Sequence, residues 1–329
     1  MIITRAPFRV SFCGGGSDLP AFYEKYGGCV LSTSIRKYMY LSLHKSFDPE
    51  ELVLKYSKTE IVRDFNEIEH NYFRQVLRNM DIKGVEISSM ADIPAGTGLG
   101  SSSSFTVALL HLLHTYKGEF VSKYSLASDA CDIEINQLGN PIGKQDQFAA
   151  AFGGLNFIEF KTNGFVDVQP VMMKHESYKR LQRCILMFYL GGIHSASKIL
   201  EEQGKNVAEE DKARAQLKMC DLARGLKREL EENNIDAMGR FLDENWKLKK
   251  TLATGISNVA IDEIYDKAMD AGALGGKLLG AGGAGFMIFY VPDDKQDNVR
   301  NAMGNLREIE FKMDNGGASI VHVERDNVD

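Results

Sequence analysis

The segment from Ile93 to Ser104 constrains this chain more than any other. It reads Ile-Pro-Ala-Gly-Thr-Gly-Leu-Gly-Ser-Ser-Ser-Ser and leads into a strongly apolar stretch. Alternate glycines allow left-handed backbone angles and close approach to a ligand, and serines before a helix leave N–H groups without intrahelical partners. Because residues 85–90 alternate like a strand, we predict strand, glycine loop and helix, an arrangement suited to phosphate groups. A flexible glycine–serine linker is the alternative interpretation.

A second glycine cluster, at residues 279–285, formally contains the dinucleotide-binding pattern G-x-G-x-x-G. That pattern requires a helix next, whereas the apolar residues 286–291 predict a strand. We therefore interpret Gly280, Gly282 and Gly283 as a tight turn entering a strand, where another backbone or a ligand comes close. The chain also lacks the G-x-x-x-x-G-K-[ST] pattern of the common P-loop.

Composition narrows the class of protein further. The 329 residues are 44% hydrophobic, with a net charge of −6, which gives no general attraction to nucleic acid or to an anionic membrane. The apolar runs are too short to span a bilayer, and the N-terminus resembles a strand rather than a signal peptide. Five scattered cysteines predict neither disulfides nor a zinc site. We expect a cytoplasmic protein. The sequence leaves the oligomeric state open, and a homodimer is among the states it allows.

The periodicity predicts an α+β protein of two domains, at residues 1–175 and 176–329. Strands are expected at 2–12, 30–35, 38–43 and 184–189, a hairpin at 154–160 and 166–172, and a last strand near 319–323 that completes the second half. Helices are expected at 67–80, 103–116, 124–138, 208–232, 236–251, 260–271 and 295–306.

A triple-glycine turn near the N-terminus carries one candidate binding site. Arg9, on the first strand, is followed by Gly14-Gly15-Gly16-Ser17 and then by Asp18. Asp18 can accept hydrogen bonds from two hydroxyls, while Gly15, Gly16 and Ser17 let a ligand meet the backbone, which suits a polyhydroxylated molecule. The alternative is a structural turn in which Asp18 caps a helix at 19–26.

Two carboxylates farther along form a second constellation. Glu134 is predicted on an apolar helix, and Asp146 follows a Gly-Pro turn beside Lys144. Together with a serine hydroxyl from the first glycine loop, they would supply the few protein ligands that Mg²⁺ needs, because Mg²⁺ in phosphoryl transfer takes only one or two carboxylates. Salt-bridged surface carboxylates are the alternative.

Four segments, at residues 6–10, 94–104, 139–147 and 279–285, together resemble the GHMP kinase family in the family's order. The resemblance spans nearly the whole chain, and its middle two segments are specific. It implies a two-domain GHMP kinase fold, with a ribosomal-protein-S5-like N-terminal domain, a ferredoxin-like C-terminal domain and the active site between them. It also implies ATP and Mg²⁺ as cofactors, with ATP held by Pro94, Gly96, Gly98, Leu99, Gly100, Ser101, Ser102 and Ser103.

Within the family, the chain is most similar to the bacterial D-glycero-D-manno-heptose 7-phosphate kinases. Residues 8–18, 139–148 and 152–155 carry that similarity. Galactokinases have Gly-Glu-His-Thr-Asp where this chain has Gly-Gly-Gly-Ser-Asp at 14–18. The resemblance therefore implies phosphorylation of the anomeric C1 hydroxyl of a heptose 7-phosphate, for nucleotide-activated heptose and surface polysaccharide synthesis.

The resemblance also implies a role for each matching residue. Ser102 and Glu134 would hold Mg²⁺, and Asp146 would orient or deprotonate the attacking hydroxyl. Arg9 would support Asp146 and stabilise charge on the transferring phosphoryl group, while Asp18 matches the aspartate that contacts the sugar.

A sugar phosphate requires a second anion site. The candidates are Lys144, the pair Arg36-Lys37, and a helix start that includes His194 and Ser195, where the alternative is an ordinary capped helix. Three other interpretations remain open: a catalytically silent sensor of sugar and ATP, a GHMP-fold decarboxylase that uses ATP on a diphosphate isoprenoid, and a kinase for another sugar such as fucose at C1.

Overall fold

The structure, a computed structural model, describes residues 1–192 and 196–324. Within these residues, one sheet has eight strands and a second has four. The larger sheet contains β1 (Ile2–Cys13), β2 (Gly28–Lys45), β3 (Leu52–Lys55), β4 (Thr59–Val62), β5 (Val85–Ala91), β6 (Leu155–Phe160), β7 (Val166–Pro170) and β12 (Ser319–Val323). Its main path is β12-β1-β2-β5-β3-β4, and β6 and β7 continue from β2. All pairings are antiparallel except that of β3 with β5.

The long strand β2 organises this sheet, because its first half pairs with β6 and its second half with β5. The prediction of two separate strands at 30–35 and 38–43 was wrong, since β2 is one strand of 18 residues. The pairing with β1 skips Arg36 and Lys37, which form a bulge. A bulge bends a strand without ending it, so the two charged residues suggested a break that the backbone does not make.

The helices of the first half are α1 (Pro20–Tyr26), α2 (Asn71–Met80), α3 (Ser101–Lys117), α4 (Lys123–Cys131) and α5 (Gln145–Phe152). Helix α3 is largely buried and packs against β1 and β2. Where one helix was predicted over 124–138, α4 ends at Cys131 and a π-helical turn occupies Asp132–Gln137. Such turns are rare and frequently occur at functional sites.

The smaller sheet contains β8 (Ile185–Gly191), β9 (Gly275–Leu278), β10 (Gly285–Tyr290) and β11 (Arg307–Ile309). Its order, β11-β8-β10-β9, is the 4-1-3-2 order of a ferredoxin-like unit, with helices crossing between its strands. The helices of this half are α6 (His175–Arg183), α7 (Ala196–Asn206), α8 (Glu210–Glu231), α9 (Ala237–Lys249), α10 (Val259–Asp270) and α11 (Gln296–Met303).

The two halves are joined in two ways. The last strand, β12, pairs with β1 in the larger sheet, which corrects the expectation that it completes the second half. The apolar core beneath the larger sheet also takes in side chains of the second half such as Leu226 and Leu242, while a second core surrounds Trp246 and Phe289. The division into residues 1–175 and 176–329 stays a prediction. No helix of the described residues is long and apolar enough to cross a membrane.

Candidate active site

A cavity of about 670 Å³ lies where the first half of the chain meets the second. Its lining includes parts of β1, the triple-glycine turn (residues 14–18), the serine loop (residues 94–104), the start of α5, the end of α9 and the glycine cluster at 279–285. Several of the predicted site residues therefore line one cavity: Arg9, Gly15, Gly16, Asp18, Gly96, Gly98, Gly100, Ser101, Ser102, Ser103, Asp146, Gly280 and Gly282.

The serine loop has the geometry of a phosphate cradle. Gly96, Gly98 and Gly100 have φ of 76°, 84° and 74°, a region that only glycine adopts freely. Helix α3 begins at Ser101 without a side-chain cap, and its first turn borders the cavity. Free amides at the positive end of a helix attract phosphate oxygens, so this end of the cavity is suited to the phosphates of a nucleotide.

Two predicted nucleotide contacts lie outside the cavity lining. The Leu99 side chain is buried in the core and its carbonyl accepts from the Arg9 amide at 3.1 Å. The Pro94 carbonyl accepts from the Thr97 hydroxyl at 2.9 Å. The carbonyl groups of both residues are therefore used within the protein, where they shape the serine loop.

Backbone contact between the two glycine clusters fixes the serine loop against the second half. A Cβ atom on Gly98 would lie 2.6 Å from the Leu279 carbonyl oxygen, and one on Gly280 would lie 2.6 Å from the Gly98 Cα. Gly282 meets Ile256 in the same way, and the Gly283 amide donates to the Ile256 carbonyl without bordering the cavity. The predicted close approach of another backbone to this turn is confirmed.

Arg9 and Asp146 form a bidentate ion pair at the cavity surface. The Arg9 Nε donates to Asp146 Oδ1 at 2.7 Å and its Nη2 donates to Oδ2 at 2.8 Å, while Nη1 donates to the Gly98 carbonyl at 2.5 Å. Such paired bonds fix a carboxylate both in position and in orientation. Because the Gly98 carbonyl belongs to the serine loop, the pair is also held beside the phosphate cradle.

Asp18 is held by the backbone rather than by a cation. Its Oδ1 accepts from the Gly16 amide at 3.0 Å and its Oδ2 from the Gln145 amide at 3.2 Å. Burial, and then the nearby Asp146 carboxylate, raise the pKa of Asp18. Leu19 rather than Asp18 occupies the cap position of α1, so the capping alternative was wrong. A carboxyl fixed at the cavity edge can accept ligand hydroxyls.

Two of the predicted substrate contacts point elsewhere. The Ser17 hydroxyl is fully buried, donating to the Cys29 carbonyl and accepting from its amide at 3.0 Å each. The Lys144 ammonium donates to the Gly164 carbonyl at 2.9 Å and lies over the Tyr23 ring. Neither residue borders the cavity, which corrects their assignment to the substrate.

The other residues predicted to form a second anion site do not support that prediction either. Arg36 and Lys37 form the β2 bulge and are absent from the cavity lining. His194 and Ser195, also predicted as substrate contacts, lie outside the described residues.

Glu134 meets the requirements of a metal ligand in the π-helical turn. The side chain is fully buried, Oε2 accepts from the Ser103 hydroxyl at 2.8 Å and from Gln147 at 3.0 Å, and Oε1 has no partner among the described residues. Burial raises the pKa of Glu134 to about 7 against the effect of these hydrogen bonds. An unpartnered carboxylate oxygen at this depth is costly, and a bound cation would satisfy it. Glu134 does not itself border the cavity, and it approaches the cavity lining through Ser103, the neighbour of Ser102.

The donor set suits magnesium. No group of three or more His, Cys, Asp and Glu side chains capable of holding a metal occurs in 1–192 and 196–324. Magnesium does not require such a group, because it keeps several waters and takes its remaining ligands from one or two carboxylates and from substrate phosphates. Glu134 and Ser102, next to the phosphate cradle, fit that pattern.

Sequence reasoning missed two buried lysines that line the cavity. Lys249 ends α9 and Lys277 lies on β9, where they are only 5% and 4% exposed. Burial lowers the pKa of Lys249 to about 8 and that of Lys277 to about 7. Lys277 could have been noticed as the one charge in an apolar strand, whereas Lys249 is hidden among the lysines of an amphipathic helix.

Comparison with known families identifies the class of protein. The chain matches the GHMP kinases N terminal domain over residues 54–154 and the GHMP kinases C terminal over residues 226–308. It belongs to the GHMP kinase family and has its two-domain α+β fold. The protein is an ATP-dependent kinase of the class that includes sugar kinases.

Three relatives show where in the family the similarity lies. The chain is 29% identical to a D-glycero-alpha-D-manno-heptose 7-phosphate kinase of Campylobacter jejuni, over 94% of this chain and 96% of that one. A crystal structure of a D-glycero-D-manno-heptose 1-phosphate kinase from Bacteroides thetaiotaomicron superposes with a TM-score of 0.81 and 26% identity, covering 99% and 100%. A bifunctional fucokinase/GDP-fucose pyrophosphorylase of Arabidopsis thaliana is 23% identical over 95% of this chain, which spans 32% of that protein.

Proposed function

We propose that the protein transfers the γ-phosphoryl group of ATP to the C1 hydroxyl of D-glycero-D-manno-heptose 7-phosphate, giving the 1,7-bisphosphate and ADP. The observation that carries this proposal is the bidentate Arg9–Asp146 pair, held beside the phosphate cradle and near Asp18. The names of the Campylobacter and Bacteroides relatives support a heptose phosphate. Those names differ in the position of the phosphate, so the acceptor requires a direct test.

Asp146 would act as the base in this reaction. As the C1 oxygen forms its bond to the γ-phosphorus, the bond from that phosphorus to the oxygen of ADP breaks, and the hydroxyl proton passes to an Asp146 oxygen. Arg9 keeps the carboxylate oriented and offsets charge on the phosphoryl oxygens. An anomeric hydroxyl is more acidic than an ordinary alcohol, which reduces the basicity that Asp146 needs.

The remaining residues would position the reactants. The free amides at the start of α3 would hold the ATP phosphates, and Asp18 with the Gly15-Gly16 backbone would hold the sugar hydroxyls. Glu134 and Ser102 would hold Mg²⁺, which when bound neutralises charge on the ATP phosphates. Positioning and charge, rather than a covalent intermediate, would account for catalysis.

Phosphorylation of a neutral sugar such as fucose at C1 is the second candidate function. The similarity to the Arabidopsis fucokinase favours it. The triple-glycine turn and Asp18 would serve either acceptor, because both present hydroxyls there. A silent sensor of sugar and ATP is less well supported, since it leaves the fixed Arg9–Asp146 pair without a purpose.

A coupled ADP-release assay with Mg·ATP tests the proposal. The acceptors are heptose 7-phosphate, free heptose, mannose 6-phosphate, fucose, galactose and mevalonate. We expect turnover with heptose 7-phosphate at a kcat/KM well above that of every other acceptor, and a product whose new phosphate NMR locates at C1. Preference for fucose or free heptose would replace the proposal by the neutral-sugar function. Binding of ATP without turnover on any acceptor would favour the sensor.

A further inference from the structure

The second half of the chain places two ammonium groups in the cavity without a carboxylate partner. Lys249 Nζ donates to the Gly15 carbonyl at 3.3 Å and to Gln203 Oε1 at 3.2 Å. Lys277 Nζ donates to the Ser11 carbonyl at 2.8 Å. Within residues 1–192 and 196–324, neither lysine forms a salt bridge. Both charges are therefore met only by neutral oxygens.

The charges around the cavity do not balance. Arg9 is matched by Asp146 in the bidentate pair, so among the described lining residues Asp18 is the remaining carboxylate against two lysines. Asp18 already accepts from two backbone amides and is itself buried. Burying an ammonium group without a counter-charge is unfavourable, and removing this cost is worth more inside a protein than in water. An anionic ligand would remove it.

The position of Lys249 indicates which ligand group this is. Nucleotide phosphates have their own cradle at the start of α3, whereas Lys249 lies against the triple-glycine turn. A Cβ atom on Gly16 would lie 2.9 Å from Gln216 Oε1 and 3.3 Å from Lys249 Nζ, so this turn packs directly against the ammonium, and Lys249 itself borders the cavity. Gln203, which is 4% exposed and holds Lys249 through Oε1, has an Nε2 without a partner among the described residues. Gln203 does not border the cavity, so its role is to hold the Lys249 ammonium from behind.

We propose that Lys249, with Lys277 beside it, forms the subsite for a phosphate monoester carried by the acceptor sugar. This inference rests on the proposed function and names the residues that distinguish a sugar phosphate from a neutral sugar. Beyond their bonds to protein oxygens, the Lys249 ammonium keeps one N–H donor and the Lys277 ammonium keeps two, which can be shared among the terminal oxygens of a phosphate. Lys277 adds charge to the same wall of the cavity.

The test compares Lys249→Met with Lys247→Met. Lys247 lies on the same helix, exposed and paired with Asp243, so it controls for loss of a lysine from α9. KM is measured for heptose 7-phosphate, for free heptose and for ATP. For Lys249→Met we expect the KM for heptose 7-phosphate to rise about 10- to 100-fold, the range of a lost charge-assisted hydrogen bond. The KM values for free heptose and ATP should stay within about twofold of wild type.

Any other pattern of KM values would overturn the inference. An unchanged KM for heptose 7-phosphate would show that Lys249 does not bind the ester. Equal increases for both sugars would show that it only supports the triple-glycine turn, and an increase for ATP would assign it to the nucleotide. Lys277→Met, measured in the same way, keeps the inference testable if the first variant does not fold; we expect about a tenfold increase, again confined to heptose 7-phosphate.

Failure of the proposed function has a different signature. If the wild type does not phosphorylate heptose 7-phosphate, the subsite is tested by calorimetric titration with mannose 6-phosphate and mannose. Binding of the phosphate ester alone, weakened at least tenfold in Lys249→Met and not in Lys247→Met, would support the subsite without the heptose assignment. The subsite would be overturned if the wild type bound mannose and mannose 6-phosphate equally. It would also be overturned if wild type and Lys249→Met bound mannose 6-phosphate equally.

Discussion

The two walls of the cavity carry positive charge in opposite ways. On the catalytic wall, formed by Arg9, Asp146 and the serine loop, the guanidinium is matched by a carboxylate through two hydrogen bonds. On the lysine wall, formed by Lys249 and Lys277, two buried ammonium groups contact only carbonyl and amide oxygens among the described residues. The first wall is electrostatically complete before a ligand binds, and the second is not.

This difference separates chemistry from recognition. A paired carboxylate keeps its geometry whether or not substrate is bound, and preorganised groups of this kind lower the barrier of the reaction itself. An unpaired buried cation is destabilising until a ligand supplies the missing charge, so it adds affinity for that charge. The catalytic wall should therefore determine kcat, and the lysine wall should determine which acceptors bind.

The largest effect is expected on the catalytic wall, from Asp146→Asn. The amide keeps the size of the carboxylate and can accept one bond from Arg9, but it is a poor base. We expect kcat for heptose 7-phosphate to fall about 10²- to 10⁴-fold, the usual contribution of general base catalysis. The KM for the sugar should change little, because the lysine wall is intact. Steady-state kinetics measure both values.

The exposed Asp270 provides the matched control, since Asp270→Asn makes the same chemical change outside the cavity and should keep wild-type kinetics. Calorimetric binding of ATP to Asp146→Asn would show that the serine loop is intact. A kcat within threefold of wild type would remove Asp146 from the chemistry and with it the assignment of the catalytic wall.

The next largest effect is expected where the two walls of the cavity meet, at the backbone contact between Gly98 and Leu279. Gly98→Ala places a Cβ atom 2.6 Å from a backbone oxygen at a φ of +84°. Gly118→Ala is a close control, because Gly118 has a φ of +71° with nothing within 4 Å of its Cβ position. Urea unfolding should show a loss of about 1–2 kcal/mol for Gly118→Ala from backbone strain alone, and a further loss of about 1–3 kcal/mol for Gly98→Ala from the steric clash.

Equal losses for the two glycine variants would mean that the loops can move apart freely. The walls would then be independent units, and the lysine wall would not have a fixed distance from Asp146. A larger loss for Gly98→Ala, accompanied by a lower kcat, would show that the contact between the loops positions the catalytic wall.

Local signals account for what could be predicted from the sequence. The serine loop and α3 follow from the conformational freedom of glycine and from an apolar helical stretch, both of which act within a few residues. The hairpin of β6 and β7 likewise follows from its turn residues, Asn163-Gly164. The family resemblance, which the comparisons confirm, depends on these same motifs.

What the sequence could not predict depends on contacts between distant residues. The continuity of β2 requires its partner β1, and β12 joins the larger sheet through pairing over some 300 residues of sequence. Lys144 was predicted to contact the substrate, but its ammonium group donates instead to the Gly164 carbonyl in the turn of the β6–β7 hairpin. The burial of Lys249 could not be read from an amphipathic helix with several lysines, whereas Lys277 stands out in the sequence as the one charge of its strand.

The smallest effect concerns the dependence of stability on pH and tests the lysine wall without substrate. Burial holds the pKa of Lys249 at about 8, against about 10.4 in an unfolded chain. Between pH 8 and 10 the unfolded state therefore holds a proton that the folded state has lost, so the free energy of unfolding rises with pH. This lysine should contribute about 1 kcal/mol for each pH unit of that range. Urea unfolding at several pH values measures the slope.

Lys249→Met should lose this contribution, whereas Lys247→Met should keep it because the Lys247 side chain is exposed. The charged neighbours that influence Lys249, Asp18 and Arg9, are the same in both variants. Parallel curves for wild type and Lys249→Met would mean that the Lys249 charge is already compensated in the free protein. The two walls would then be electrostatically alike, and selectivity for a phosphorylated sugar would have to come from elsewhere in the cavity.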